Sequence, residues 1–399
     1  MFNYFSLANM TAGFVGMLVG FTSSAVLVFQ AAMALGASQA EISSWLLALG
    51  LSIAITCIGL SLRYRVPILT GWSTPGAALL ITSLSGVSLP EAIGAFMFSA
   101  ALTVFSGITG IFEKIMDYVP RSLTSAMLAG ILLQFGMNVF TSMQTQFSLV
   151  VSMMLVYLIG KCYFQRYTVI LVLLSGIIIA YAEGLFHLQQ LQLAVSYPVF
   201  TAPVFSFHTL ISIGMPLFIV TMTSQNIPGT AVIRASEYNP PVSSLISWIG
   251  GVTFLMAPFG CYAINLAAIT AAICMGEEAD NNPKTRYRAT IFAGFCWLVV
   301  GLFSASVVAL FAAFPKELVT AIAGLALLST IANNLKSALD DESQREPALI
   351  TILVCASGIS LWGIGAAFWG LIAGILASLL LNWHKKKRVA TAKALGKTV

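Results

Sequence analysis

Charge is the scarcest thing in this 399-residue chain. Asp, Glu, Lys and Arg together make up 8% of it, against 58% hydrophobic residues. Soluble domains carry about 25% charged residues. A soluble surface of this size could not be covered by so few, so the solvent must be lipid, and a count of soluble domains does not apply. Histidine is nearly missing, with His187, His208 and His384 alone. The six cysteines form no C-x-x-C pair and mostly lie inside apolar runs, where they read as small buried hydrophobes. There is no H-E-x-x-H, no Walker loop and no G-x-G-x-x-G after a strand. No metal or other cofactor is therefore expected, and a membrane enzyme would lack its nucleophile–base pair. The net charge of +5 arises largely in the last fifteen residues and gives no reason to expect nucleic acid. The start, MFNYFSLANMTAGFVGMLVGF, has no basic n-region and no small-residue cleavage site, and reads as a retained first helix.

What is there is apolar sequence in lengths that suit a bilayer, which needs about 20 residues per helix. Cutting at charge clusters and Pro/Gly breaks predicts fourteen spans: 8–33, 42–62, 67–84, 90–112, 121–139, 144–161, 167–184, 210–230, 242–257, 260–276, 288–313, 317–334, 347–363 and 365–383. The distribution of Lys and Arg supports the count. With the N-terminus placed in the cytoplasm, eighteen of the 19 fall in inside loops or the tail, and only Lys316 falls outside. The expected product is a multi-pass protein of the inner membrane with both termini cytoplasmic. The tail, HKKKR onwards, marks the inner leaflet.

The longest outside loop, roughly 185–209, separates seven spans from seven. An odd number per half puts the halves in opposite orientations, the inverted repeat of many secondary transporters. Weak echoes share a common order at an offset of about 190 to 200 residues. FTSSAV (21–26) answers MTSQNI (222–227), and VPILTGWSTPG (66–76) answers APFGCYAINLA (257–267).

Those last two stretches break the apolar pattern. Pro67 holds its neighbour extended, and Thr74-Pro75 reads as an N-cap followed by proline at the first helical position. The expectation is a short extended piece over 66–73 and a half-helix from about 75 to 84. In the partner, Pro258 and Gly260 break the chain over 257–261, with a half-helix from about Tyr262. Irregular backbone inside a bilayer is tolerated only where it is buried in protein or lines a cavity. Two helix starts facing one cavity favour an anion. Kinked helices packed by small residues are the plain alternative for either stretch alone. Their occurrence at matching positions favours the pair. The run TMTSQNIPGTAV (221–232) adds two amides, Gln225 and Asn226, which need partners in the bundle. Its counterpart is Thr22-Ser23-Ser24 with Gln30. The acids Glu41, Glu91, Glu183 and Glu317 sit at predicted helix ends, and no charge falls near a span's midpoint. A proton pathway usually shows one, so the proton carrier is left open between a boundary acid, the substrate itself and no coupling.

Taken together, MTSQNIPGTAV (222–232), VPILTGWSTPGAAL (66–79) and PFGCYAINLAAITAAICMG (258–276) leading to NPKTRYRA (282–289) resemble the benzoate:proton symporter family (BenE type), over essentially the whole chain. More distantly the chain resembles nucleobase–ascorbate transporters and sulfate exchangers. The resemblance implies an all-α polytopic fold of fourteen segments in a 7+7 inverted repeat, segments 3 and 10 each being a short strand plus half-helix. It implies a core domain (1–120 and 210–315) moving against a gate domain (121–209 and 316–384), followed by a basic tail (385–399). Small residues such as Ser125, Ala129, Gly324 and Ala326 would lie between them. The partners implied are a small organic anion, a proton and the bilayer, and relatives of this fold often form homodimers. Nucleobase carriers of the fold use acids in segments 8 and 10. Here those positions lie among Gln225, Asn226, Tyr262 and Asn265, which argues against uracil and suits a carboxylate. The expected function is import of benzoate or a related aromatic carboxylate by alternating access, with proton coupling. An anion exchanger, a channel-like carrier and a nucleobase transporter are the alternatives. The expected substrate contacts are Thr22, Ser23, Gln30, Trp72, Ser73, Thr74, Gly76, Gln225, Asn226, Phe259, Tyr262 and Asn265, with the ring resting on Trp72, Phe259 or Tyr262.

Overall fold

Serine and glutamate three residues apart begin two of the long helices. Ser38 Oγ accepts from the Glu41 N–H while Glu41 accepts from the Ser38 N–H at 2.7 Å, starting α2 (Gln39–Tyr64). Ser88 and Glu91 repeat the capping box at α4 (Leu89–Thr109), with a proline in its first turn. Two of the four boundary acids thus close helix ends, a placement that satisfies otherwise unpaired N–H groups.

The computed structural model describes residues 5–83, 86–110, 120–163, 168–185, 194–277, 279–359, 361 and 366–394. In chain order the elements are α1 (Leu7–Ala34), α2, β1 (Thr70–Trp72), α3 (Thr74–Ser83), α4, α5 (Arg121–Ser142), α6 (Phe147–Tyr163), α7 (Thr168–Ala182), a composite α8 (207–235) and α9 (Val242–Met256). They continue with β2 (Ile264–Leu266), α10 (Ile269–Met275), α11 (Tyr287–Leu302), α12 (Ser304–Ala313), α13 (Lys316–Leu339), α14 (Arg345–Ala356) and α15 (Ala366–Ala394). Among the described residues six helices are long and apolar enough to cross a membrane, and the bent α1 makes a seventh; four more are apolar but shorter.

Several expected boundaries move. The segment expected at 288–313 is two helices, broken at Phe303. Helix α13 runs five residues past the expected end at 334, and α15 continues through the basic tail to Ala394. Part of the long loop, 194–206, has no regular secondary structure but is tied down across the bundle. Ser196 N–H donates to Leu302 O (2.8 Å), Thr201 N–H to Pro258 O (2.8 Å) and Val204 N–H to Pro90 O (2.9 Å).

Packing sorts the helices into two groups. Helices α1 to α4 and α8 to α12 pack on one another, and α5, α6, α7, α13, α14 and α15 form the other set. Lipid gives apolar side chains no reason to cluster, so small residues that admit close backbones set the pairs. A Cβ on Gly50 of α2 would come within 2.8 Å of Gly301 Cα on α11. On Gly130 of α5 it would meet Ile352 O of α14 at 2.6 Å. Gly324 abuts Phe135 and Val139 of α5, so it packs inside the second group and not between the groups.

Candidate functional site

Two three-residue strands meet in the middle of the molecule. β1 and β2 pair antiparallel, with Thr70 opposite Leu266, Gly71 opposite Asn265 and Trp72 opposite Ile264. The pairing extends at both ends, where Ser73 N–H donates to Ala263 O (3.1 Å) and Ala267 N–H to Leu69 O (2.9 Å). Each broken helix therefore supplies the backbone partners the other needs, which is the condition for interrupting a helix inside a bilayer. Hydroxyls of α2 secure the remainder. Thr56 Oγ1 and Thr70 Oγ1 lie 2.6 Å apart, and Ser61 Oγ accepts from the Ile68 N–H at 3.2 Å. The second strand falls at 264–266, downstream of the expected break at 257–261. Those earlier residues make a 3-10 turn closed by Gly260 at φ 102°, and a Cβ there would collide with the Trp45 indole. Consequently α10 starts at Ile269 and not near Tyr262.

At the other half-helix the cap is Ser73, not Thr74. The Gly76 N–H donates to Ser73 Oγ at 3.1 Å, leaving Thr74 and Pro75 in the first turn. Ser73 Oγ also accepts from Thr221 Oγ1 (2.9 Å), and its carbonyl accepts from Tyr262 Oη (2.9 Å). These bonds occupy both side chains behind the strands. Tyr262 is wholly buried among Trp45 and Phe96.

Helix α8 contains a wide π turn over Met222–Asn226 just before Pro228. Such turns re-aim side chains and cluster at functional sites. This one separates neighbouring amides. Asn226 turns inward, where its Oδ1 accepts from the Leu266 N–H at 2.9 Å. Gln225 points to the other side, within 3.4 Å of Asn265 Nδ2.

That side is a cavity of about 680 Å³, inside the range of roughly 300–1,000 Å³ for ligand sites. One wall is built by α1, β1, the starts of α3 and α10, the π turn of α8, and α11. The facing wall comes from Thr124, Ser125, Leu128 and Leu132 of α5 and from Ala326, Leu327, Thr330, Asn333, Asn334 and Ser337 of α13. The cavity thus lies between the two helix groups. It occupies the N-terminal halves of α1 and α5 and the C-terminal halves of α8 and α13, one end of the bundle. Asn333 and Ser337 there are exposed.

Of the expected contacts, Trp72, Thr74, Gln225 and Asn265 border this cavity. The rest do not. Thr22 Oγ1 bonds back to Leu18 O, Gln30 sits two turns further along α1, and Ser73, Asn226 and Tyr262 are committed as described. Gly76 lies where α3 meets α8, since a Cβ would sit 2.8 Å from Leu217 Cδ1. Phe259 stacks edge-on against Phe200. The side chain of Ser23 lies outside the described residues.

Two contributors escape sequence reasoning. Trp297 of α11 packs edge-on against Trp72, with ring centroids 4.7 Å apart, and Trp72 Nε1 donates to Ser24 Oγ at 2.7 Å. Together the indoles make an aromatic wall. The other contributor is the Asn333-Asn334 pair, which carries the same signal as Gln225-Asn226: adjacent amides in an apolar run.

Among the described residues, none that lines the cavity is charged or titrates. Polar groups are hydroxyls, amides and the backbone of two helix starts. Ser73 caps α3, whereas α10 has no side-chain cap. A helix start is worth about 0.3–1 kcal/mol to an anion at an exposed site. Removing a carboxylate from water costs several kcal/mol, so the helix starts alone do not hold one.

Comparison with known proteins follows the same lines. The family model described as Benzoate membrane transport protein (BenE) matches residues 3–380. The chain is 47% identical over 374 residues to the Inner membrane protein YdcO of Escherichia coli (strain K12), covering 94% of this chain and 96% of that one. It is 38% identical over 376 residues to the Benzoate membrane transport protein of Acinetobacter baylyi (strain ATCC 33305 / BD413 / ADP1), covering 94% and 95%. In fold it is similar to SLC26A9, at TM-score 0.63 and 12% identity, over 96% of this chain and 66% of that. It is similar as well to the transmembrane domain of the cyanobacterial bicarbonate transporter BicA, at TM-score 0.58 and 13% identity, over 95% and 98%. The chain is a membrane transport protein and belongs to the BenE family.

Proposed function

We propose that this chain imports benzoate or a related aromatic carboxylate across the inner membrane, with a proton, by alternating access. The observation that carries the reading is the cavity between the helix groups, with two indoles and two amides on the wall made by the first group. The substrate ring would rest on Trp72 and Trp297, with its carboxyl group turned to Gln225 and Asn265. A uracil-like ring offers N–H donors and would want a carboxylate acceptor, which the lining lacks. The relative named for benzoate transport supports the choice.

The expected fourteen segments in an inverted 7+7 arrangement accord with the antiparallel strand pair, each strand leading into a short helix. We take the first helix group as the core domain, carrying strands and half-helices, and the second as the gate. Core motion past α5 and α13 would expose the cavity alternately. The loop charge pattern favours a cytoplasmic side for the N-termini of α1 and α5, and with that orientation the cavity described here would face inward.

A thermal-shift and uptake panel on purified protein tests the reading, with benzoate, substituted benzoates, uracil and sulfate. Stabilisation and uptake confined to the aromatic carboxylates are expected. A response to uracil or sulfate alone would reverse the assignment. The fold shared with a bicarbonate transporter keeps one second reading, an anion carrier without proton coupling. Uptake into liposomes indifferent to a pH gradient would favour it.

A further inference from the structure

We propose that this transporter takes its substrate as the neutral carboxylic acid, so that the co-transported proton rides on the substrate's carboxyl group and on no side chain. The inference rests on the aromatic-carboxylate reading above and goes further by naming the bound species.

The first argument is the chemistry of the walls. Every element around the cavity can be searched for a group able to hold a proton or balance an anion. Helix α1 and residues 69–83 contain no titratable residue. Helix α8 has His208 at its far end and Arg234, exposed, beyond the cavity. Helix α10 has Cys274, buried with its thiol towards Ala12 O. Helix α11 has Tyr287 and Arg288 in its first turn, and Cys296. Helix α5 begins at Arg121, while α13 has Lys316 and Glu317 at the opposite end and Lys336, exposed, at the mouth. Among the described side chains none of these lines the cavity; that of Arg121 lies outside the described residues. Among the described residues a bound carboxylate would therefore have no cation beside it, whereas a neutral acid needs none.

The second argument is donor–acceptor balance. A carboxylate only accepts hydrogen bonds, and a primary amide offers two donors and one acceptor. A carboxylic acid matches an amide on both sides, its C=O accepting from N–H and its O–H donating to the amide oxygen. Asn265 is 1% exposed, borders the cavity, and its Oδ1 has no hydrogen-bond partner. A carboxylate cannot supply the missing donor; a carboxylic O–H can. Small rotations of the Asn265 and Gln225 amides, now only loosely joined at 3.4 Å, would let both meet the acid.

The cycle balances. Outside, the anion takes one proton from water; the neutral acid crosses in the site; inside, it releases the proton to the more alkaline cytoplasm. One proton moves per substrate and no net charge crosses.

Binding to the full-length purified protein tests this without relying on flux, since neutral aromatic acids also leak through lipid. Calorimetry with benzoate from pH 5.5 to 7.5, in buffers of different ionisation heat, should show the apparent Kd weakening about tenfold per pH unit, with one proton taken up per benzoate. Benzamide, a neutral isostere, should compete with a Kd independent of pH, and benzenesulfonate, always an anion, should not compete. Lys336→Met, which removes an exposed cation at the mouth, should leave Kd within about twofold and the slope unchanged. A flat benzoate Kd, competition by benzenesulfonate, or a tenfold loss in Lys336→Met would overturn the inference. Absence of benzoate binding at every pH, from protein that melts normally, would overturn the substrate reading and the inference with it.

Discussion

At Gln225 and Asn226 two identical functional groups stand side by side in the chain and do different work. The π turn gives Asn226 to the Leu266 N–H and Gln225 to the cavity. Gln225→Ala should therefore weaken benzoate binding by about tenfold, the loss of one polar contact of roughly 1.4 kcal/mol, with little change in melting temperature. Asn226→Ala should act the other way round, lowering the melting temperature because it strands a buried N–H at a cost of about 1–3 kcal/mol. Calorimetry and thermal unfolding on the two variants separate the roles, and equal loss of binding with equal melting would refute the division. How much of this was legible differs residue by residue. The amide pair was visible because polar side chains are expensive in an apolar run. Which amide faces the ligand was not, because a π turn shifts the helical phase by one residue and leaves no mark in composition. Trp297 was invisible for another reason: a lone aromatic among Leu, Val and Phe looks like any other lipid-facing or core residue. Asn333-Asn334 carries the same signal in kind, at the very end of the span expected over 317–334.

The half-helices show the same contrast one level up. Pro67, Gly71 and Pro75 announced that residues 66–76 could not be one helix, and Pro258 and Gly260 did so for the partner. The register of the pairing was not announced, since three-residue strands are too short for an alternation to register. Glycines around the pair separate space needed for packing from space left for ligand. A Cβ on Gly229 would lie 2.6 Å from Leu266 Cβ, so Gly229→Ala should push α8 off β2 and abolish uptake. Gly71, in β1, has nothing within 4 Å of such a Cβ and borders the cavity. Gly71→Ala should melt like the parent and lose uptake of bulky substituted benzoates before that of benzoate, as competition assays would show. A second device holds the far end of α10. Arg286 Nη1 donates to Met275 O at 2.8 Å and its Nε to Asp280 O at 2.7 Å, while the Asp280 carboxylate accepts from Asn282 N–H, Thr285 Oγ1 and Asn9 Nδ2. Those bonds, the Asn282 N–H first, hold the Asp280 carboxyl below its ordinary value. A lowered value in the folded state means the contribution is present above the ordinary aspartate range and fades as pH falls through the folded value. Asp280→Asn should thus melt below the parent at pH 7, with the gap closing towards pH 3; a gap constant with pH would show the carboxylate's charge to be irrelevant.

For the whole molecule, the distribution of contacts matters more than any single one. The two helix groups are each held by close contacts at glycines, such as Gly50 with Gly301 in one and Gly324 with Phe135 in the other. Between them lie the cavity of about 680 Å³ and contacts through α1, α3 and the middle of α8. Strong joints inside each group and a cavity between them suit two bodies that slide. The segment 194–206, which links the halves of the chain, is bonded to elements of the first group, including Ser44 on α2 and Ser304 at the start of α12. It would travel with that group. A thiol placed on the facing wall reports the motion directly. Four native cysteines are buried, so replacing Cys162 and Cys296 leaves a background with no accessible thiol among the described residues. Thr330→Cys in that background should react with a membrane-impermeant maleimide from the cytoplasmic side of inverted vesicles, and benzoate should slow the reaction. An outward-facing swing of the first group should make the same cysteine slow from inside. Labelling only from the periplasmic side, or at a rate benzoate does not alter, would place the opening or the substrate elsewhere and remove the sliding mechanism.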